Sequence, residues 1–153
     1  MLQLTREQFG RIVAQGLDGK PLEICGLLAG EAHPPVEGVA VTNVELVYPI
    51  ESDDKSPLTY TLNATGYLRA VKDIEARGLQ VVGIYHTHPA TEAYPSKTDV
   101  ARAHWGDTDD LLFPDYSYLI MSLRDPAHPE PHSFKINGRR IPEDIEEEPV
   151  AVV

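Results

Sequence analysis

The sequence predicts an α/β fold, a mixed β-sheet flanked by helices, on three observations. Apolar residues recur at helical spacing in two stretches, Phe9, Ile12, Val13 and Leu17, then Tyr67, Leu68, Val71 and Ile74. Short apolar or β-branched runs at 24–30, 36–47 and 79–86 alternate with them. No repeat, long linker or low-complexity tract divides the 153 residues, and 42% hydrophobic residues suffice for one core. Helices alternating with strands pack as a sheet with helices on its faces.

Thr5, with Gln8 three residues on, forms a capping box that starts a first helix over about residues 5 to 18. Gly19 and Pro21 end it, and Ile24 to Gly30 is an apolar run of strand length. Val36 to Val47 reads as one or two strands punctuated by Pro34-Pro35 and Pro49, and 58–62 as a short strand. Asn63 caps a second helix that Gly78 stops, and residues 79–86 form a buried strand. A loop with Pro89 and Pro95 leads to a third helix from about Ser96 to Trp105; strands at Tyr116 to Leu123 and His132 to Ile136 complete one domain over 1–142. Residues 143–153, acidic from Glu143 to Glu148, are expected to be a solvated, mobile tail, because neighbouring like charges repel and stay hydrated.

Thirteen Lys and Arg against 24 Asp and Glu give a net charge of −11, which repels phosphate backbones and argues against nucleic acid as a partner. The single cysteine, Cys25, cannot form an intramolecular disulfide. The first residues lack a basic segment followed by an apolar one, and no apolar run has the length of a membrane span. These features point to a cytoplasmic protein. Whether the chain pairs with itself stays open.

In His86-Thr87-His88 the two imidazoles are one residue apart at the end of a predicted strand, whose period of two points both to one face. An isolated pair of this kind is more often two surface histidines than a metal site. Ser96 and Asp99, three apart at a predicted helix start, also share a face, and Ser-x-x-Asp by itself is an ordinary capping box. The conjunction favours a metal, since a short loop from the strand end to the helix start can gather His86, His88 and Asp99 around one ion. Two nitrogens and one carboxylate suit zinc, one per chain, and three protein ligands leave a fourth position for water, the arrangement of a catalytic site. Hydrolysis also needs a proton carrier. Glu23, just before the strand at Ile24, is a candidate, with Glu45, Glu51, Glu75 and Glu92 as alternatives.

His86-Thr87-His88-Pro89 followed by Ser96 and Asp99 resembles the His-x-His-x7-Ser-x2-Asp signature of the JAMM metalloproteases, also called the MPN-plus family. Glu23-Ile24-Cys25-Gly26-Leu27-Leu28-Ala29-Gly30 resembles that family's upstream glutamate and Gly-rich strand, which selects Glu23 among the glutamates. The similarity spans roughly Thr5 to Ile136. It implies a cytidine-deaminase-like αβα fold, zinc on His86, His88 and Asp99, Glu23 as general base and acid, and Ser96 steadying the oxyanion. The short chain and the segment Thr91 to Ser96 look similar to bacterial members that act on ubiquitin-like sulfur carriers. The resemblance therefore implies hydrolysis of the amide bond after a carrier's C-terminal Gly-Gly, releasing cysteine or another conjugate.

Two rival readings are a metal-stabilised module that binds a carrier tail without cutting it, and a zinc hydrolase of a small amide or nucleobase. The absence of paired cysteines counts against nucleobase deamination. Cys25 in its apolar run reads as packing, and His104, which could approach the site from the third helix, as an exposed or core-edge residue. Tyr94 and Pro95 flank Ser96 and are expected to line a substrate channel or shape the helix start.

Overall fold

The computed structural model of the chain describes residues 1–153, in eight strands and three helices. They run β1 (Leu2–Leu4), α1 (Arg6–Gly19), β2 (Cys25–Val36), β3 (Val39–Ile50), α2 (Ala64–Ala76), β4 (Gln80–His88), α3 (Lys97–Arg102), β5 (Ser117–Ser122), β6 (Glu130–Ile136), β7 (Ile145–Glu148) and β8 (Val150–Val152). One sheet contains all eight strands in the order β7-β6-β5-β4-β2-β3-β1-β8. β4 lies parallel to β5, and β1 parallel to both β3 and β8, while the other neighbours are antiparallel. The expected mixed sheet with flanking helices is thus present. No helix is long and apolar enough to cross a membrane.

The capping box at α1 is complete: the Thr5 hydroxyl accepts from Gln8 N at 3.1 Å and Gln8 Oε1 accepts from Thr5 N at 2.9 Å. Gln8 Nε2 also donates to Val44 O and Glu45 O at 3.0 Å, so the same residue fixes the helix start onto β3. The run expected at 24–30 and the one at 36–47 form a single hairpin. It turns at Glu37 and Gly38, both at positive φ, 52° and 81°. Pro34 and Pro35 lie inside β2 because the pairing with β3 shifts between His33 and Val36, leaving no ladder bond for them to break.

Three other expectations need correction. Residues 58–62 form no strand; a single bridge, Ser52 to Leu62, closes a loop over residues 51–63. α3 ends at Arg102 rather than Trp105, with Ala103 N shared by the carbonyls of Asp99 and Val100 at 3.2 Å. The acidic segment 143–153 is not a solvated tail, since β7 pairs with β6 and β8 with β1. Three of its acidic side chains find local partners. Glu148 accepts from the hydroxyls of Ser117 and Ser133 at 2.6 and 2.7 Å, Glu147 pairs with His132, and Asp144 pairs with Arg140 at 2.8 Å.

β7 and β8 stand at opposite ends of the strand order yet are separated in sequence only by Pro149. Two residues of extended chain span about 7 Å, so the sheet curls until its two ends meet on this one segment.

Two apolar clusters fill the two faces. Ile12 of α1 packs with Leu28, Val82, Tyr85 and Leu119 on one, and Ala70 and Ile74 of α2 and Val100 of α3 pack with Leu27, Ile84 and Tyr118 on the other. The β2–β4 register shifts between Leu28 and Ala29, opposite Gly83 and Val81, so Val82 is an extra residue in β4. Beyond this bulge Ile84 lies on the α2 and α3 face and Tyr85 on the α1 face. By alternation His86 and His88 follow Ile84, and Thr87 faces α1. Gly16 of α1 permits that close approach, because a Cβ there would stand 2.7 Å from the Thr87 methyl.

Candidate metal centre

Four buried polar side chains meet at the C-terminal end of β4. Glu23, His86, His88 and Asp99 are 3, 1, 6 and 6% exposed, and each offers a ligand atom within 4.8 Å of the others. His86 Nε2 and His88 Nε2 are 3.1 Å apart, and Asp99 Oδ2 stands 3.2 Å from each. Glu23 Oε1 is farther, 4.0 Å from His86 Nε2, and is a buried oxygen with no hydrogen-bond partner.

Each residue is held by the local chain. β4 presents the two imidazoles as alternate residues, with ring centroids 4.9 Å apart. Thr87, on the other face, grips the residue after Glu23: its Oγ1 accepts from Ile24 N and its own N donates to Ile24 O, both at 3.1 Å. Glu23 N donates to Ser56 O at 2.9 Å, which ties it to the loop 51–63. Ser96 caps α3, accepting from Asp99 N at 3.0 Å, while Ser96 N donates to Asp99 Oδ2 at 2.9 Å. The capping box and the carboxylate's place beside the histidines are therefore one arrangement. The Ser96 hydroxyl accepts in it and keeps its proton uncommitted.

Proton counting tests whether the set fits a metal ion. His88 Nδ1 lies 2.8 Å from Glu92 O, a carbonyl that only accepts, so in the neutral ring the proton sits on Nδ1 and Nε2 is a bare lone pair. That lone pair faces His86 Nε2 and the Asp99 carboxylate. One proton on His86 Nε2 can satisfy only one of these acceptors. A cation between the three satisfies all of them. Atoms bound tetrahedrally to zinc at about 2.0–2.1 Å are about 3.3 Å apart, close to the 3.1 and 3.2 Å found. The donor set fits a divalent ion with nitrogen and oxygen preference.

The charges agree. Burial pushes the Asp99 carboxyl up, but the positive charge and hydrogen bonds of His86 and His88 and the Ser96 amide outweigh it and hold the group well below the usual carboxylate range. Burial lowers His88, yet its bonds to Asp99 and Glu92 raise it above the ordinary imidazole value, so without an ion a proton between His88 Nε2 and Asp99 takes the place a cation would fill. Glu23 goes the other way: burial first, then the Asp99 charge, push it up to about 8. The cluster attracts positive charge at the three converging atoms and places beside them a carboxyl that exchanges protons near neutrality.

Of the residues singled out in the sequence, Glu23, His86, His88 and Asp99 come together, and Ser96 stands at the adjoining helix cap. Cys25 stays out, its Sγ directed to Ile50 O at 3.5 Å. His104 is buried, with Nδ1 donating to Val100 O at 2.7 Å, and takes no part in the cluster. Tyr94 packs edge-on against Phe134, centroids 5.4 Å apart. Sequence reasoning missed Tyr60, whose ring stacks on His86 at 4.4 Å and also lines an apolar cleft of about 740 Å³ running to Tyr67, Leu68 and Phe113. It also missed Glu92 as a main-chain acceptor, a role carried by a carbonyl that every residue has. Thr87 was missed too, though alternation carried the signal: a residue between two histidines that share a face must point the opposite way.

Comparison with known proteins agrees with this geometry. The model of a family described as prokaryotic homologs of the JAB domain matches residues 5–137. The chain belongs to this family, and with it to the JAMM-type hydrolases. It is 34% identical over 155 residues to the CysO-cysteine peptidase of Mycobacterium tuberculosis (strain ATCC 25618 / H37Rv), covering 100% of this chain and 92% of the relative. It is 33% identical over 103 residues to a desampylase of Haloferax volcanii, covering 67% of this chain and 63% of that one. Among solved structures, protein DSY2949 of Desulfitobacterium hafniense superposes with a TM-score of 0.82 at 33% identity, over 100% of this chain and 93% of that chain.

Proposed function

We propose that the chain is a zinc metallopeptidase that hydrolyses the amide bond after the C-terminal Gly-Gly of a ubiquitin-like sulfur carrier, releasing cysteine or another conjugated group. The observation that carries the reading is the set of three ligand atoms at tetrahedral spacing with the unpartnered Glu23 oxygen beside them. The similarity to the CysO-cysteine peptidase over the whole chain supports the substrate class. The lone, buried, unpaired Cys25 fits a reducing compartment, the cytoplasm.

His86, His88 and Asp99 hold the ion, one per chain, with the Glu92 carbonyl orienting His88. Zinc bound there supplies Lewis acidity, making water a nucleophile near neutral pH and polarising the scissile carbonyl. Glu23 takes a proton from the attacking water and returns it to the leaving nitrogen as the carbon–nitrogen bond breaks, so one water is consumed and an acid and an amine are formed. The Glu23 oxygen that has no other partner is the one free to do so. The Ser96 hydroxyl donates its free proton to the carbonyl oxygen as negative charge gathers on it.

The test is mass spectrometry of a Gly-Gly-ending carrier carrying cysteine at its C-terminus, incubated with the zinc-loaded chain. Loss of the cysteine mass, abolished by a chelator and restored by zinc, is the expected result. A zinc-loaded chain that binds the conjugate and leaves it intact overturns the reading.

A further inference from the structure

We propose that Arg102 and Asp54 are positioning residues: together they fasten the loop 51–63 to α3 and so set Glu23 and Tyr60 against the three ligand side chains. The inference rests on the proposed metal centre as far as its catalytic consequence goes, while its structural consequence is independent of activity.

Three site residues, Asp99, Tyr60 and Glu23, depend on two pieces of chain that are not neighbours in sequence. α3 carries Asp99, and Arg102 follows it by three residues, on the same helical face. The loop 51–63 carries Tyr60, stacked on His86, and Ser56, whose carbonyl holds Glu23 N at 2.9 Å. Within the loop, Asp53 N donates to Thr61 O, Asn63 N to Glu51 O, and Thr61 N to Ser52 Oγ at 3.1 Å, so its two ends are tied to each other. Arg102 joins the two pieces. Its Nη1 donates to Asp54 Oδ2 at 2.6 Å, to Thr61 Oγ1 at 3.0 Å and to the carbonyl of Tyr60 itself. Asp54 in turn accepts from Thr59 Oγ1 at 2.8 Å and Thr61 Oγ1 at 3.1 Å.

The pair is half-exposed, and an ion pair in that setting adds little to stability. Its convergence on one nitrogen at the root of the Tyr60 ring is what a positioning role needs. Catalysis tolerates misplacement poorly, and a shift of about 1 Å can lower a rate about a hundredfold.

The experiment compares Arg102→Met, Asp54→Asn, the double variant, Arg102→Lys, and Arg77→Ala as a control at the exposed Arg77–Asp73 pair. Amide hydrogen exchange is read on every variant, with and without zinc, and kcat and KM on the carrier conjugate. The expected result is at least about tenfold faster exchange at Glu23, Asp53 and Thr61 in both single variants, with the β5 amides unchanged, and a loss in kcat of about ten- to hundredfold with KM altered less than about threefold. The double variant should be no worse than either single one. Arg102→Lys should recover only part of the loss, since the ammonium keeps the charge and the donors but ends short of the Nη1 position. Unchanged exchange at Glu23 and Thr61 overturns the proposal, as do losses that multiply in the double variant. If Arg102→Met fails to fold, Asp54→Asn decides by the same amides. A wild-type chain that cleaves no conjugate refutes the proposed function alone, because the exchange readout remains.

Discussion

Glu23→Gln is expected to lower kcat by about two to four orders of magnitude, the usual contribution of a positioned acid–base group, while the chain retains one zinc. Glutamine keeps the shape of this nearly solvent-excluded side chain, so the fold has no reason to change. It removes only the ability to take and return a proton. Asp99→Asn is the contrasting variant. It leaves Ser96 N a partner but weakens the anionic ligand 3.2 Å from both imidazoles, so metal content falls together with rate. Metal analysis beside kinetics separates the two residues. Equal loss of zinc in both variants would make Glu23 a ligand rather than a proton carrier, and full activity in Glu23→Gln would remove it from the reaction.

The metal-free protein should lose stability as pH rises from about 4.5 to about 8. Folding raises Glu23 from its ordinary value of 4.5 to about 8, so the folded state binds its proton more tightly than the unfolded chain. The contribution is whole below 4.5 and is gone once pH has passed the folded value. At about 1.4 kcal/mol per pH unit, that interval sets a ceiling of about 5 kcal/mol. Asp99 has the opposite sign: held below its ordinary value, it stabilises above that value and loses its contribution as pH falls further. Denaturant unfolding after chelation, from pH 4.5 to 8.5, measures the slope. Glu23→Gln should remove the slope below about pH 6.5 and leave above it the smaller part that the raised His88 contributes with the same sign, and added zinc should stabilise most at the alkaline end, where proton competition for the ligands is least. An equally steep slope in the glutamine variant would assign the pH dependence elsewhere.

The convergence of His86, His88 and Asp99 was legible because its geometry is local. Two histidines one residue apart on a strand share a face whatever the rest of the chain does, and a serine three residues before an aspartate at a helix start makes the same cap in any fold. Glu23 was different. It reaches the cluster through its neighbour Ile24 gripped by Thr87 and its own amide held by Ser56, and neither contact leaves a trace in spacing. Family resemblance selected it, and the geometry bears on it independently through the unpartnered oxygen. Tyr60 and Arg102 were hidden for the same reason, since the loop that carries one meets the helix that carries the other only after the sheet has formed.

The missed strands share a cause as well. Leu2–Leu4 is too short for a period to show, and it becomes a strand because β3 and β8 flank it on both sides. The acidic run read as repulsive because charge patterning sees neighbours in sequence. The partners of Glu148 are serines on two other strands.

Leu2 finds its hydrogen-bonded neighbour at Val150, nearly a whole chain length away. Residues 145–152 are therefore a seam: one stretch of backbone finishes both rims of the sheet at once. Closure must wait until Val150 has been synthesised, and such distant pairing is slow to form. Until then a nascent molecule shows two unsatisfied rims, open to strands from other chains. Losing the seam would strip β6 and β1 of their outer neighbours together, two edges opened by one break.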